Sequence, residues 1–386
     1  MEEPREDHRK ENEHGITSDG IVRDGGAYDG NGHDGIDWTA ASKRMPRTTA
    51  AARRVAFVDE TGSTNTLARR LVASAALAVD DETSRMGVAP SVNVVATDRQ
   101  TAGRGRLDHT WVSGAGESST VSYVVRVPYD VARDETVNGW LQMIAGLATL
   151  DGLRAALQRA GARPLHADAE ADGDAVAGGK SVPVSGDVVV ADRLGLKWPN
   201  DIFVGDRKLG GILAELVPLP EERRASETVS GVASDALPGV ASGSPVSGSP
   251  ASGSPADVAI VFGVGLNLAV PADRLPTAQA TSLQLHYGPL PEGDAMRDMI
   301  AAGTVAALRR RLAAFTADPH GEAAALRREA ASCCVTLGRR AVAHFVDGRE
   351  LVGEAIALND DASLTLRSDD GAMHVVRTAD VGVLPA

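Results

Sequence analysis

The sequence predicts an α+β protein: a β-sheet flanked by long amphipathic helices, followed by a small carboxy-terminal β-barrel. Three observations carry that prediction. Between residue 55 and about 332, short β-branched runs alternate with stretches whose apolar residues recur at helical spacing. After Cys334 the texture changes to short strands separated by Asp347-Gly348, Asp360-Asp361 and Asp370-Gly371, and Asp-Gly between alternating residues is a hairpin signal. Finally, three strands within 194–270 carry glycines on one face.

Residues 1–52 are Gly-, Asp- and Glu-rich, with a net charge of −7 over 1–42 out of −13 for all 386 residues. So few large apolar groups cannot offset the ordering entropy, and the segment is expected to be disordered. A helix-turn-helix would need amphipathic helices and a basic face there, so DNA binding is not expected. No basic region leads into an apolar stretch at the amino terminus, and no apolar run approaches the ~20 residues of a membrane span. The two cysteines, Cys333 and Cys334, are adjacent; neighbours rarely form an unstrained bridge. Free thiols fit a reducing cytoplasm.

The run "VAFVDETGSTNTLARRLVASAALAVD" reads as strand, turn and helix, with Ser63 or Thr64 as N-cap and Leu67, Leu71, Ala75 and Val79 on one stripe. "SVNVVATD" and "STVSYVVRV" are strand-like. "NGWLQMIAGLATLDGLRAALQRAG" predicts a long helix stopped by Gly161, and "AMRDMIAAGTVAALRRRLAAF" predicts another. Residues 166–193 and 219–256 look inserted, the second ending in a Gly/Ser/Pro tract without packing potential. They are expected to be loops joining adjacent strands. The organisation expected is therefore 1–52 unstructured, 53–332 a main α+β domain, and 333–386 a separate small domain.

Strand alternation singles out chemistry. In "LGLKWPND" (194–201), Leu194, Leu196 and Trp198 share one face while Gly195 and Lys197 share the other. In "KLGGILAEL" (208–216), Ile212, Ala214 and Leu216 face one way, and Gly211 the other with Leu209 and Leu213. In "AIVFGVGLNLAV" (259–270), Gly263, Gly265 and Asn267 lie opposite a continuous apolar face. Glycine weakens a strand, so such glycines imply a close approach by a ligand or a helix. Before these strands, "QTAGRGRLDHTW" sets Arg104 and Arg106 around Gly105. Guanidinium groups bind carboxylate and phosphate bidentately, and glycine lets the backbone come close. "DAVAGGKS" (174–181) lacks the first glycine of a phosphate loop. Neither G-x-S-x-G nor HExxH occurs, and the nine histidines show no zinc-ligand spacing.

Taken together in order, "STN" (63–65), "QTAGRGR" (100–106), "KWPND" (197–201), "KLGGILAE" (208–215) and "GVGLN" (263–267) resemble the biotin protein ligase family over roughly 55–386. The resemblance implies a mixed β-sheet flanked by helices and an SH3-like carboxy-terminal β-barrel. It also implies an ATP- and magnesium-dependent enzyme that joins biotin to AMP, then passes it to a lysine of a biotin carboxyl carrier domain. Carried over by position, Lys197 and Arg106 are the catalytic cations. Ser63, Thr64, Asn65, Gln100, Arg104, Gly105, Gly210, Gly211, Leu213, Gly263 and Gly265 line the biotin side with them. Trp111, Asn200, Lys208 and Asn267 join Arg104, Arg106 and Lys197 on the ATP side. No fixed protein metal site is implied, since magnesium travels with ATP. His109 stands where many relatives carry an arginine, which leaves a phosphate contact there open. The resemblance leaves a homodimer open as well. The rival readings are a lipoate-type ligase of the same fold and a non-catalytic biotin-binding protein.

Overall fold

The apolar runs assemble into a mixed seven-stranded sheet covered by helices, beside a five-stranded antiparallel sheet. The computed structural model describes residues 36, 38–77, 89–106, 110–111, 113–165, 194–219 and 257–384. Two short helices, α1 (Ala40–Arg44) and α2 (Pro46–Ala51), lead into β1 (Arg54–Thr61) and α3 (Thr64–Ala73). There follow β2 (Val92–Gln100), the two-residue strands β3 (Gly103–Arg104) and β4 (Thr110–Trp111), and β5 (Ser118–Pro128). Then come α4 (Tyr129–Arg133), α5 (Gly139–Ala160), β6 (Arg163–Pro164), β7 (Leu194–Lys197), β8 (Asp201–Val204), β9 (Arg207–Val217) and β10 (Asp257–Asn267). The last elements are β11 (Tyr287–Gly288), α6 (Asp294–Ala317), α7 (Pro319–Cys333), β12 (Arg340–His344), β13 (Glu350–Leu358), β14 (Leu364–Arg367), β15 (Met373–Val376) and β16 (Asp380–Val383).

The large sheet runs β1-β2-β5-β10-β9-β8-β7. β1 and β2 are parallel, joined through α3, and the other neighbours are antiparallel. β5 lies inside the sheet, next to the central β10, and is buried along nearly its whole length, as a strand covered on both faces must be. Long helices α5 and α6 cover one face of the sheet and α3 covers part of the other. α5 stops at Gly161, whose φ of 65° is left-handed. α3 ends at Ala73, sooner than its stripe suggested, and Ala75 takes a positive φ of 57°; Val79 lies outside the described residues.

Strand β9 departs from simple alternation. A bulge between Ile202 and Phe203 of the pairing strand leaves Leu209 as an extra residue, and Leu209 is wholly buried in the core. It therefore does not share the face of Gly211 and Leu213. Leu216 is half exposed rather than core. The inserted stretch beginning at 219 does join adjacent strands, β9 and β10. Residues 166–193 instead connect β6, which pairs with β11, to the sheet edge at β7. The inserts themselves, 166–193 and 220–256, lie outside the described residues, as does the near-miss phosphate loop.

The carboxy-terminal strands run β15-β14-β13-β12-β16. This is an open antiparallel sheet rather than the expected closed barrel, because its edge strands β15 and β16 are not paired with each other. The turns at Gly348 and Gly371 carry positive φ, as Asp-Gly hairpins require. The small sheet shares its core with the large one. Two buried indoles join them: Trp140 Nε1 donates to Asp360 O at 2.6 Å and Trp198 Nε1 to Ala362 O at 2.8 Å.

The expectation of an unstructured segment through residue 52 needs correction at its end, since α1 and α2 are ordered on α6. Composition hid this because the anchor is polar and distant. Asp298 of α6, almost fully buried, accepts from Thr48 N at 2.8 Å, Thr48 Oγ1 at 2.9 Å and Arg47 N at 3.1 Å. Nearby, buried Arg297 donates to Asp98 Oδ1 at 2.9 Å and Ser118 O at 3.0 Å, and Arg44 reaches Asp98 at 3.4 Å. Burial alone would raise the Asp98 carboxyl. The Arg297 bond, the Gly116 N–H and the two arginine charges outweigh that and hold it below the usual range.

Two outcomes follow. Asp298→Ala strands the Thr48 donors and should cost about 1–3 kcal/mol, read as a lower urea midpoint with new proteolysis near 40–53. Because the folded-state Asp98 value is depressed, its stabilisation is complete above about 3.9 and fades as pH falls through the folded value. Asp98→Asn should therefore be less stable at neutral pH, and its Tm should decline less steeply on acidification.

Candidate active site

Ser63, Thr64 and Asn65 sit at the start of α3, over the middle of the large sheet. Ser63 has extended backbone and its Oγ accepts from Thr66 N at 3.5 Å, a long N-cap. Thr64 and Asn65 are buried and held from beneath by Ser122 of β5, whose hydroxyl donates to Asn65 Oδ1 at 2.6 Å and lies 2.8 Å from Thr64 Oγ1. Gln100, at the end of β2, accepts from Thr64 N at 2.9 Å and from Thr64 Oγ1 at 3.2 Å. The Asn65 amide donates to Leu213 O at 3.2 Å and to Glu215 Oε2 at 2.7 Å.

These groups line a cavity of about 490 Å³, a size suited to a small ligand. The structure brings to it every residue expected at the site except Gly210. Arg104, Gly105, Arg106, Trp111, Lys197, Asn200, Lys208, Gly211, Leu213, Gly263, Gly265 and Asn267 all line it with the α3 group. Gly210 does not. A Cβ there would run into Gly265 O and Leu266, so its glycine allows β9 and β10 to lie close. Gly195 also has a packing reason, because a Cβ would meet Val335 and Cys333 O at 2.7 and 2.8 Å.

The β10 glycines are explained by neighbouring side chains. A Cβ on Gly263 would collide with the Asn65 amide, and one on Gly265 would meet the Trp111 ring at 2.7 Å. Both side chains thus lie flat on the sheet. The Trp111 Nε1 is buried, with no hydrogen-bond partner among the described residues. β3 and β4 pair as a small hairpin that carries Arg104; His109, within the connecting residues 107–109, lies outside the described residues. Gly103 closes tightly over Gln100, with no space for a side chain.

The two lysines share one carboxylate. Asp201, whose side chain is 8% exposed, lies 3.4 Å from Lys197 Nζ and 2.8 Å from Lys208 Nζ. Lys197 is 14% exposed, with its ammonium 5.9 Å from the Phe203 ring centre. Arg106 Nη1 donates to Asn200 Oδ1 at 3.3 Å. Burial lowers the proton affinity of Arg106, while the charges of Asp380 and Asp201 pull it back up; an arginine stays protonated under such a shift. Arg104 is more open and donates through Nη2 to Glu215 at 3.2 Å and Thr66 Oγ1 at 3.4 Å. Asn267 donates to Thr281 O at 3.0 Å.

Several participants escaped the sequence reading. Asp201 was in plain view inside KWPND, and alternation from Gly211 and Leu213 points to Glu215. Ser122 carries no motif. Arg339, Asp380 and Gly382 reach the cavity from the small sheet, and nothing local in sequence marks them.

The biotin/lipoate A/B protein ligase family model matches residues 76–235. The biotin–[acetyl-CoA-carboxylase] ligase of Mycobacterium tuberculosis is 28% identical over 328 residues, covering 85% of this chain and 87% of that protein. The bifunctional ligase/repressor BirA of Bacillus spizizenii is 29% identical over 144 residues, 37% of this chain and 32% of that protein. Among solved structures, the biotin protein ligase of Aquifex aeolicus in complex with biotin and ATP has the same fold. Its TM-score is 0.51 at 14% identity, covering 86% of this chain and 100% of that one. By its motifs, its fold and these relatives, the chain is similar to the biotin protein ligases of the biotin/lipoate A/B protein ligase family.

Proposed function

We propose that the chain is an ATP-dependent biotin–protein ligase. The observation that carries this reading is the gathering of Lys197, Lys208, Arg104 and Arg106 around one cavity beside the Thr64–Asn65–Gln100 wall. Joining a carboxylate to a phosphate needs fixed positive charge that becomes more effective as negative charge builds up on the phosphorus. In a partly dry pocket each such charge counts for more than in water.

In the first step a biotin carboxylate oxygen attacks the α-phosphorus of ATP, and pyrophosphate leaves. Lys197 and Arg106 hold the carboxylate and the α-phosphate against each other, and Lys208 and Asn200 meet the remaining phosphates. Asn267 and Trp111 lie on the nucleotide side. Magnesium would be held by the triphosphate rather than by a protein site, and would supply charge neutralisation to the phosphates. The donor set agrees, because both oxygens of Asp201 are already engaged by lysines. In the second step the amine of an acceptor lysine attacks the acyl carbon, AMP leaves, and a biotin amide remains. The glycine-flanked loop of Arg104 and Arg106 would shield the mixed anhydride from water in between. The acceptor is a biotin carboxyl carrier domain, the setting is the cytoplasm, and no repressor activity is expected. Among the described residues no helix is long and apolar enough to cross a membrane.

Biotin-dependent exchange of labelled pyrophosphate into ATP tests the reading; exchange driven by lipoate and not by biotin would overturn it. Lys197→Ala should slow that exchange on the order of 10²–10³-fold, and a rate near wild type would place the catalytic lysine elsewhere. Arg106→Gly should release activated biotin into solution faster, measured as biotinylation of free amines. Unchanged leakage would mean that the loop is no shield.

A further inference from the structure

Glu215 belongs to none of the motif positions assigned to ligand, yet Asn65 and Arg69 of α3 and Arg104 of the arginine loop converge on it. Its Oε2 accepts from Asn65 Nδ2 at 2.7 Å. Its Oε1 accepts from Arg69 Nη1 and from Arg104 Nη2, each at 3.2 Å. The Glu215 side chain is 19% exposed, against 47% for Arg69 and 51% for Arg104.

The geometry has two consequences. With Leu213 O and Glu215 taking the Asn65 amide hydrogens and Ser122 donating to its Oδ1, the amide cannot turn over without losing all three bonds. Arg104, for its part, is held through Nη2 alone among the described residues, which leaves its Nε and Nη1 hydrogens uncommitted. A guanidinium fixed at Nη2 still offers the Nε and Nη1 hydrogens singly, and presents a two-pronged edge to a carboxylate or phosphate once Nη2 is released. Fixing a long side chain beforehand also removes part of the ordering cost that the ligand would otherwise bear.

We propose that Glu215 is a positioning residue for biotin: its carboxylate fixes the Asn65 amide and pre-sets Arg104, tying the arginine loop to helix α3. Glu215 does not touch the reacting atoms, and Arg69 stays on the carboxylate as counter-charge when Arg104 engages the ligand. This inference rests on the biotin-ligase reading of the same cavity.

The test is steady-state pyrophosphate exchange with biotin and ATP varied separately, on the full chain and its variants. Wild type comes first: no biotin-dependent exchange there would sink the function itself, before Glu215 is reached. Given an active wild type, Glu215→Ala should raise the biotin KM by about tenfold, the usual worth of one hydrogen bond to a charged group. The ATP KM should stay as it was, and kcat should change far less. Glu215→Gln keeps an oxygen for Asn65 but drops the charge facing Arg104, so a rise of about threefold is expected; it also serves if the alanine variant fails to fold. In an Arg104→Ala background, Glu215→Gln should add nothing further to the biotin KM. A wild-type biotin KM in both Glu215 variants, equal rises for biotin and ATP, or full additivity with Arg104→Ala would each overturn the positioning role.

Discussion

One buried carboxylate set between two ammonium groups underlies the site. Lysines 197 and 208 could not share a half-dry wall without a counter-charge, and Asp201 supplies it to both at once. The arrangement still leaves the cavity cationic: two lysines and three arginines line it against three aspartates. Asp206 and Arg339 pair with each other. That surplus gives an anionic ligand a reason to enter, and burial of Arg106 and Lys197 makes the surplus effective at short range.

The rest of the fold can be understood as support for this charge arrangement. The bulge at Leu209 turns one residue into the core and returns Gly211 and Leu213 to the cavity side. Glycines 263 and 265 remove bulk from β10 so that Asn65 and Trp111 can lie against the sheet. The small carboxy-terminal sheet is fastened by Trp140 and Trp198, and Trp198 adjoins Lys197 in sequence. The tie that holds the small sheet in place therefore also fixes the strand end from which the lysine projects.

Much of this was legible in the sequence, since period-two alternation and turn chemistry are local. Alternation placed Leu194, Leu196 and Trp198 in the core and Lys197 opposite them. The Asp-Gly pairs marked the hairpins, and the arginine–glycine loop declared a task for anions. What stayed hidden depended on partners far along the chain. Gly195 signalled a backbone from residue 333, and Gly210 signalled the neighbouring strand; a single sequence cannot distinguish such packing from a ligand's approach. The helices at 40–51 were invisible because their anchor is a buried aspartate about 250 residues away. Closure of the small sheet could not be read from strand count, because five strands form either an open sheet or a barrel depending on whether the edges meet.

The most direct measurement is a crystal structure of the chain with a non-hydrolysable analogue of biotinyl-5′-AMP. The linkage that mimics the acyl phosphate should lie between the Lys197 ammonium and the Arg106 guanidinium, with the bicyclic ring against Thr64, Asn65 and Gln100. A ligand seated elsewhere, or bound here while Lys197 remains on Asp201 and both arginines stay turned away from it, would contradict the shared cationic cavity as the centre of the chemistry.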